Sequence, residues 1–256
     1  MEGRAADGGL GPVTDLIAAR TARRVAGRVA TNPNGNGDIG ASTLVGIGGG
    51  VAVGKSHLAA ALAARLSNDH DLASVVVASD GFLLPNHELA RRGLAARKGY
   101  PESYDLEAID AFLLDVRAGR DVLEVPVYDH LLYDVLDERR RADRATVVIF
   151  EGVNVLHFAD RLDVGIYLDA AEADMRRWFV ERVLRLRTEA ASVPDAYLAP
   201  VAHLDDAVVS EFAVGVWDAV NAPNLADHIE PTRTAAEVVV RKGADHSIVD
   251  VVVEVR

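Results

Sequence analysis

Eight consecutive residues, Gly49, Gly50, Val51, Ala52, Val53, Gly54, Lys55 and Ser56, carry the spacing G-x-x-x-x-G-K-S. Each part of that pattern answers a requirement of holding a nucleoside triphosphate. Gly49 and Gly54 can take backbone angles denied to other residues, so successive N–H groups turn inward on phosphate oxygens. Lys55 is expected to reach the β- and γ-phosphates, and the Ser56 hydroxyl to coordinate Mg²⁺. Two carboxylates recur in a similar setting, since Asp80 and Glu151 each lie at the end of an apolar run and directly before a glycine. At the C-terminal edge of a parallel sheet Asp80 is placed where ligands bind, although an aspartate before glycine is also common in plain turns. Glu151 occupies the position from which phosphate-loop enzymes hold the metal or its water.

The flanking segments are of the kind needed to position such a loop. Thr43 to Ile47 is apolar and short enough for one buried strand, and the alanine- and leucine-rich stretch after Ser56 is strongly helical. The helix adds the positive end of its dipole to the phosphate site. Further strands are predicted at 73–78, 146–150 and 162–168, with two β-rich segments closing the chain at 236–241 and 248–255. Helical spacing marks 14–30, 106–116, 170–186 and 204–220, and the proline and asparagines of NAPN at 221–224 are expected to end the last of these. Residues 84–104 read as irregular, and the alternation beginning at Val122 as a strand or extended segment. The first dozen residues read as frayed and 31–42 as a loop by its turn residues. Alternating strands and helices predict an α/β fold, a mainly parallel sheet with helices on both faces.

With 256 residues, half of them hydrophobic, the chain can fill the core of one large domain or of one domain with an appended lid. Its net charge of −12 argues against a nucleic-acid-binding surface. The absence of cysteine excludes disulfides and thiolate metal sites, and the eight histidines show no metal-ligand spacing. Neither a signal-peptide core nor a bilayer-spanning apolar run is evident, so the expectation is an ATP-dependent enzyme of the cytoplasm with no membrane partner.

Several motifs occur together in one order: GGVAVGKS, SDGFLLPN at 79–86, RGLAARKGYPESYD at 92–105, PVYDHLLYDV at 126–135, EGVNVL at 151–156 and NL…PTR at 224–233. From about Gly46 to the C-terminus they closely resemble the bacterial type I pantothenate kinase family. The resemblance implies phosphate-loop kinase architecture, with residues 1–42 an N-terminal helix and flexible linker and 43–256 the kinase domain, including a helical lid around 170–225. It implies transfer of the γ-phosphoryl of ATP to pantothenate, with Mg²⁺, in a homodimer. Asp80 then matches the carboxylate that accepts the hydroxyl proton, and Arg182 the arginine facing the transferring phosphoryl. Tyr128, His130, Tyr133 and Asn224 match residues around the acceptor, and His246 the histidine near the base. Of Arg176, Arg177, Arg182, Arg185 and Arg187, most read as a solvated helix face.

Departures from the family pattern carry expectations of their own. Phe179 stands where the family has a tyrosine, and Val183, Leu186, Ala191 and Leu198 stand where it has aromatic residues. A pocket so rebuilt should fit a different set of acceptors. No asparagine in residues 1–40 matches the family's contact to adenine, which leaves GTP open beside ATP. His57 replaces a threonine, and Ala60 replaces an arginine implicated in feedback binding of coenzyme A. Two alternatives therefore accompany pantothenate phosphorylation: a relative redirected to a nucleoside, sugar or specialised metabolite, and a non-catalytic nucleotide-binding regulator.

Overall fold

A computed structural model of the chain describes residues 9–31 and 41–254. The expectations for the first eight residues and for most of the 31–42 loop lie outside the described residues. Helix α1 (Gly11–Thr31) leads to strand β1 (Thr43–Gly49), the glycine loop and helix α2 (Lys55–His70). Strand β2 (Ser74–Ala78) is followed by the short helix α3 (Asn86–Arg91) and helix α4 (Leu106–Ala118). Strands β3 (Val122–Asp129), β4 (Asp134–Asp143), β5 (Val147–Glu151) and β6 (Val164–Asp169) come next. Helices α5 (Glu172–Ala190) and α6 (Asp206–Val216) precede strands β7 (Val238–Lys242) and β8 (Ile248–Val253).

The main sheet has the order β2-β5-β1-β6-β7-β8. All its neighbours pair in parallel except the antiparallel β7–β8 edge. β1 and β5 are buried along their whole length, which is why they read as nearly unbroken apolar runs. Behind the sheet Phe82, Phe112 and Phe150 form one aromatic cluster, with ring centroids 5.3 to 5.9 Å apart. Helix α1 is tied to the sheet by Arg20 with Glu237 and Arg24 with Asp163, at 2.5 Å each.

Register decides where the chemistry falls. Glu151 at the end of β5 pairs with Ala78 of β2 on one side and with Ile47 of β1 on the other. Asp80 lies two residues beyond Ala78, and Gly49 two beyond Ile47. Three motifs far apart in sequence therefore share one sheet edge.

Three features differ from the sequence expectations. The segment from Val122 is a complete antiparallel ribbon, β3 with β4, and the return strand rich in arginine went unread because its side chains are mostly exposed. The ribbon is fixed to the sheet edge by Arg140, whose Nη2 donates to the Val76 carbonyl at 3.1 Å. Residues 84–104 are not irregular throughout, since α3 and short 3₁₀ turns order them. NAPN does not end the helix after 204: the backbone continues helically to Ile229 through two π-helical turns, Trp217–Asn221 and Leu225–Ile229, that flank Pro223. A wider turn lacks the i→i−4 bond that proline would break, so the ring is accommodated instead of stopping the helix.

Candidate active site

The glycine loop has the backbone its sequence requires. Gly49 and Gly54 have φ of 143° and 98°, and a Cβ on Gly49 would lie 2.3 Å from the Leu168 carbonyl oxygen. No other residue fits there. Lys55 is buried and its Nζ donates to the carbonyls of Gly50 and Gly49 at 2.8 and 3.1 Å. Burial lowers its pKa, against the pull of Glu151 and Asp80, and Arg182 lowers it further.

Ser56 Oγ donates to Glu151 Oε1 at 2.7 Å. Burial raises the Glu151 pKa, while Lys55 and the Ser56 hydroxyl oppose the rise. Hydroxyl and carboxylate are hard oxygen donors of the kind Mg²⁺ takes alongside nucleotide phosphates, so the pair fits that ion. Asp80 is half-buried in the 3₁₀ turn Ser79–Phe82 that caps β2. Its charge acts on Lys55, Lys98, Tyr128, His130 and Tyr133, which places it between the phosphate loop and an aromatic wall.

That wall comes from the tip of the β3–β4 ribbon. Tyr128 meets His130 and Tyr133 edge-on, at centroid distances of 5.1 and 6.4 Å. Tyr133 has the left-handed φ of 55° and packs on Tyr197 at 4.7 Å. From α5, Arg182 Nη2 lies 3.2 Å from His130 Nδ1. Desolvation and this guanidinium both lower the His130 pKa. Arg182, Asp80, Tyr128, His130 and Tyr133 are thus brought together. Among the other arginines of α5, Arg187 reaches the Leu204 carbonyl and Asp206 at 2.5 and 2.6 Å.

On the other side of the phosphate loop His246 stacks on Trp178 at 4.1 Å, with a left-handed φ of 67°. Phe179 is half-buried against Trp217, at 5.9 Å, and Val183 and Leu186 are half-buried beyond it. Ala191 lines a cavity of about 380 Å³ with Ala190, Val193, Ala199, Ala202 and His203. Asn224 is buried, but its Nδ2 is committed to the Gly99 carbonyl at 3.0 Å. In the widened helix Asn221 keeps a buried Nδ2 with no partner among the described residues.

Two further cations, with no role among the sequence expectations, lie at the site. Lys98 Nζ donates to Asn86 Oδ1 at 2.7 Å and to the Tyr133 carbonyl at 2.5 Å, and lies 4.0 Å from the Tyr133 ring centroid. Lys242 Nζ donates to the Val53 carbonyl at 2.9 Å and sits 3.2 Å from His246 Nδ1. Composition held a signal for both: of 27 basic residues only three are lysines, Lys55, Lys98 and Lys242. All three converge on this site.

No protein-family profile matches the chain. A pantothenate kinase from Sorangium cellulosum is 43% identical over 217 residues, covering 80% of this chain and 70% of that protein. One from Listeria welshimeri is 39% identical over 218 residues, covering 81% and 71%. The chain belongs to the pantothenate kinase family. D-glycerate 3-kinase from Cryptococcus neoformans shares the fold, with a TM-score of 0.68 at 15% identity over 98% of this chain and 100% of that one. Family and fold together make this an ATP-dependent phosphate-loop kinase. None of the described helices is long and apolar enough to cross a membrane.

Proposed function

We propose that this kinase transfers the γ-phosphoryl group of ATP to the primary hydroxyl of pantothenate, giving 4′-phosphopantothenate for coenzyme A synthesis. The carrying observation is the shared sheet edge, where the phosphate-loop Lys55, the Ser56–Glu151 pair and Asp80 face Arg182 and the aromatic ribbon tip. Asp80 takes the proton of the acceptor hydroxyl as its oxygen bonds to the γ-phosphorus, and the bond from that phosphorus to the β–γ bridging oxygen breaks to release ADP. Lys55 and Arg182 offset the charge that builds on the transferring group, and the positioning of the two reactants supplies the rest. Ser56 and Glu151 would hold Mg²⁺, which would supply positive charge against the phosphates. Tyr128, His130 and Tyr133 orient the acceptor, while His246 and Trp178 flank the base. Helices α5 and α6 with the connection between them form the lid. The half-exposed Val208 and Phe212 of α6 support a homodimer, testable by light scattering.

A second reading, in which the acceptor has changed, is favoured by Phe179, whose ring packs against Trp217 and carries no hydroxyl. Phosphorylated products are to be measured by mass spectrometry over pantothenate, pantetheine, uridine and adenosine. Pantothenate is expected to give the highest kcat/KM. Preference for another acceptor by an order of magnitude or more would replace this reading with the second.

A further inference from the structure

One glycine in the site is held far more firmly than its length of loop explains. Gly99 has φ of 94°, its N–H donates to the Oγ of fully buried Ser103 at 2.9 Å, and its carbonyl accepts from two side chains. These are Asn154 Nδ2 and Asn224 Nδ2, each at 3.0 Å. Both asparagines are buried, with 5% and 2% exposure, and each leaves its own Oδ1 without a partner among the described residues. A buried carboxamide that is only half satisfied is costly, so two of them on one carbonyl call for a return.

That return lies one residue earlier. Lys98 threads its ammonium between Asn86 Oδ1, the Tyr133 carbonyl and the faces of Tyr133 and Tyr128, at 4.0 and 5.0 Å. Asn86 Nδ2 also donates to the Tyr133 carbonyl, at 2.9 Å, and its N–H to Asp134 Oδ1 at 2.9 Å. The ammonium therefore props Tyr133 in its left-handed conformation. An ammonium has three donors, and among the described residues two are hydrogen-bonded, which leaves its charge on the tyrosine wall with one N–H not committed to an oxygen. The direction from which Lys98 enters is set by the residue that follows it, Gly99. Asn154 reaches the carbonyl of that glycine from just beyond Glu151, linking the metal carboxylate to the acceptor wall.

We infer that Asn154 is a positioning residue for acceptor binding: by clamping the Gly99 carbonyl together with Asn224, it aims Lys98 at the tyrosine wall. This rests on the proposed kinase reading of the same site. Burial holds the Lys98 pKa down at about 8, against the pull of Asp134 and Asp80, so that titration reports how well the side chain is seated.

The test uses the full chain with Asn154→Ala, Lys98→Met and the double variant, and follows two readouts. In initial-rate kinetics, Asn154→Ala is expected to raise the pantothenate KM roughly tenfold, the scale of one lost buried contact, with the ATP KM within about twofold. Because both changes remove one function, the double variant is expected to be no worse than the worse single. With ¹³C-labelled lysine, the Lys98 titration is expected to move from near 8 up towards the ordinary lysine range in Asn154→Ala. An equal rise in both KM values, multiplying single-site effects, or an unmoved Lys98 midpoint would each overturn the inference. Should Asn154→Ala fail to fold, an unchanged pantothenate KM in Lys98→Met, a half-exposed site, overturns it as well. Should the wild type phosphorylate no pantothenate, the proposed function fails, and the titration alone decides this inference.

Discussion

Replacing Lys55 by methionine keeps the apolar stem and removes only the charge, and the structure sets the size of the effect. At about 4 Å a unit charge pair is worth about 1 kcal/mol in water but about 4 kcal/mol at an effective dielectric constant near 20. Lys55 is 9% exposed, and its pKa is lowered chiefly by burial, so the second regime applies. With about 1.36 kcal/mol per decade of rate, Lys55→Met is expected to cut turnover on the order of a thousandfold, where a solvated lysine would give only about fivefold. Folding should not suffer. A lysine whose pKa is depressed by the fold is penalised as the ammonium at neutral pH, so losing the charge relieves that penalty while the carbonyls of Gly49 and Gly50 lose a donor. Steady-state ADP release and a thermal melt on one preparation decide the matter. A rate loss below about tenfold would refute the electrostatic role, and a collapse of the melting transition would make Lys55 a structural residue.

Asp80→Asn should lower turnover by about 10² to 10⁴-fold with nucleotide affinity kept, because a general base acts on the acceptor proton alone; isothermal titration with a non-hydrolysable ATP analogue beside kinetics reads both, and a loss under about threefold would leave Asp80 a turn residue. Lys98 is charged below its pKa of about 8 and neutral above it, so kcat/KM for the acceptor should fall as pH rises past 8. In Lys98→Arg that descending limb should shift to higher pH, and coincident wild-type and variant profiles would assign the limb elsewhere. Coenzyme A should compete with ATP only weakly, since Ala60 offers its phosphates no cation on the exposed face of α2; inhibition at low micromolar concentration would show that another arginine serves.

How legible each part was in the sequence follows from how local its cause is. The phosphate loop and the strands β1 and β5 were readable because glycine spacing and unbroken apolar runs are local demands of the backbone and of two-sided burial. Asp80 and Glu151 were readable as strand-end carboxylates, and their shared edge follows from a register that parallel pairing imposes. The return strand β4 was not, since an exposed ribbon rich in arginine has no apolar alternation to show. Nor was the helix through Pro223, because π-helical turns absorb a residue that a local rule treats as a stop. Asn154 and Lys98 matter through partners 55 and 35 residues away, and no periodicity records such distances.

The lysine census has a practical consequence. This chain covers its surface with arginine and spends its ε-amines on three places around one cleft, in each of which burial lowers the amine's pKa. An amine is nucleophilic only when neutral, so at mildly alkaline pH these side chains, Lys98 foremost, are primed towards acylating and aldehyde reagents to which guanidinium groups are inert. Reagents that decorate most proteins indiscriminately, such as activated esters or reductive methylation mixtures, should here behave as affinity labels without being designed as such. Coupling through lysine to a resin or a dye should cost this kinase its activity, and saturating ATP should shield Lys55 in particular.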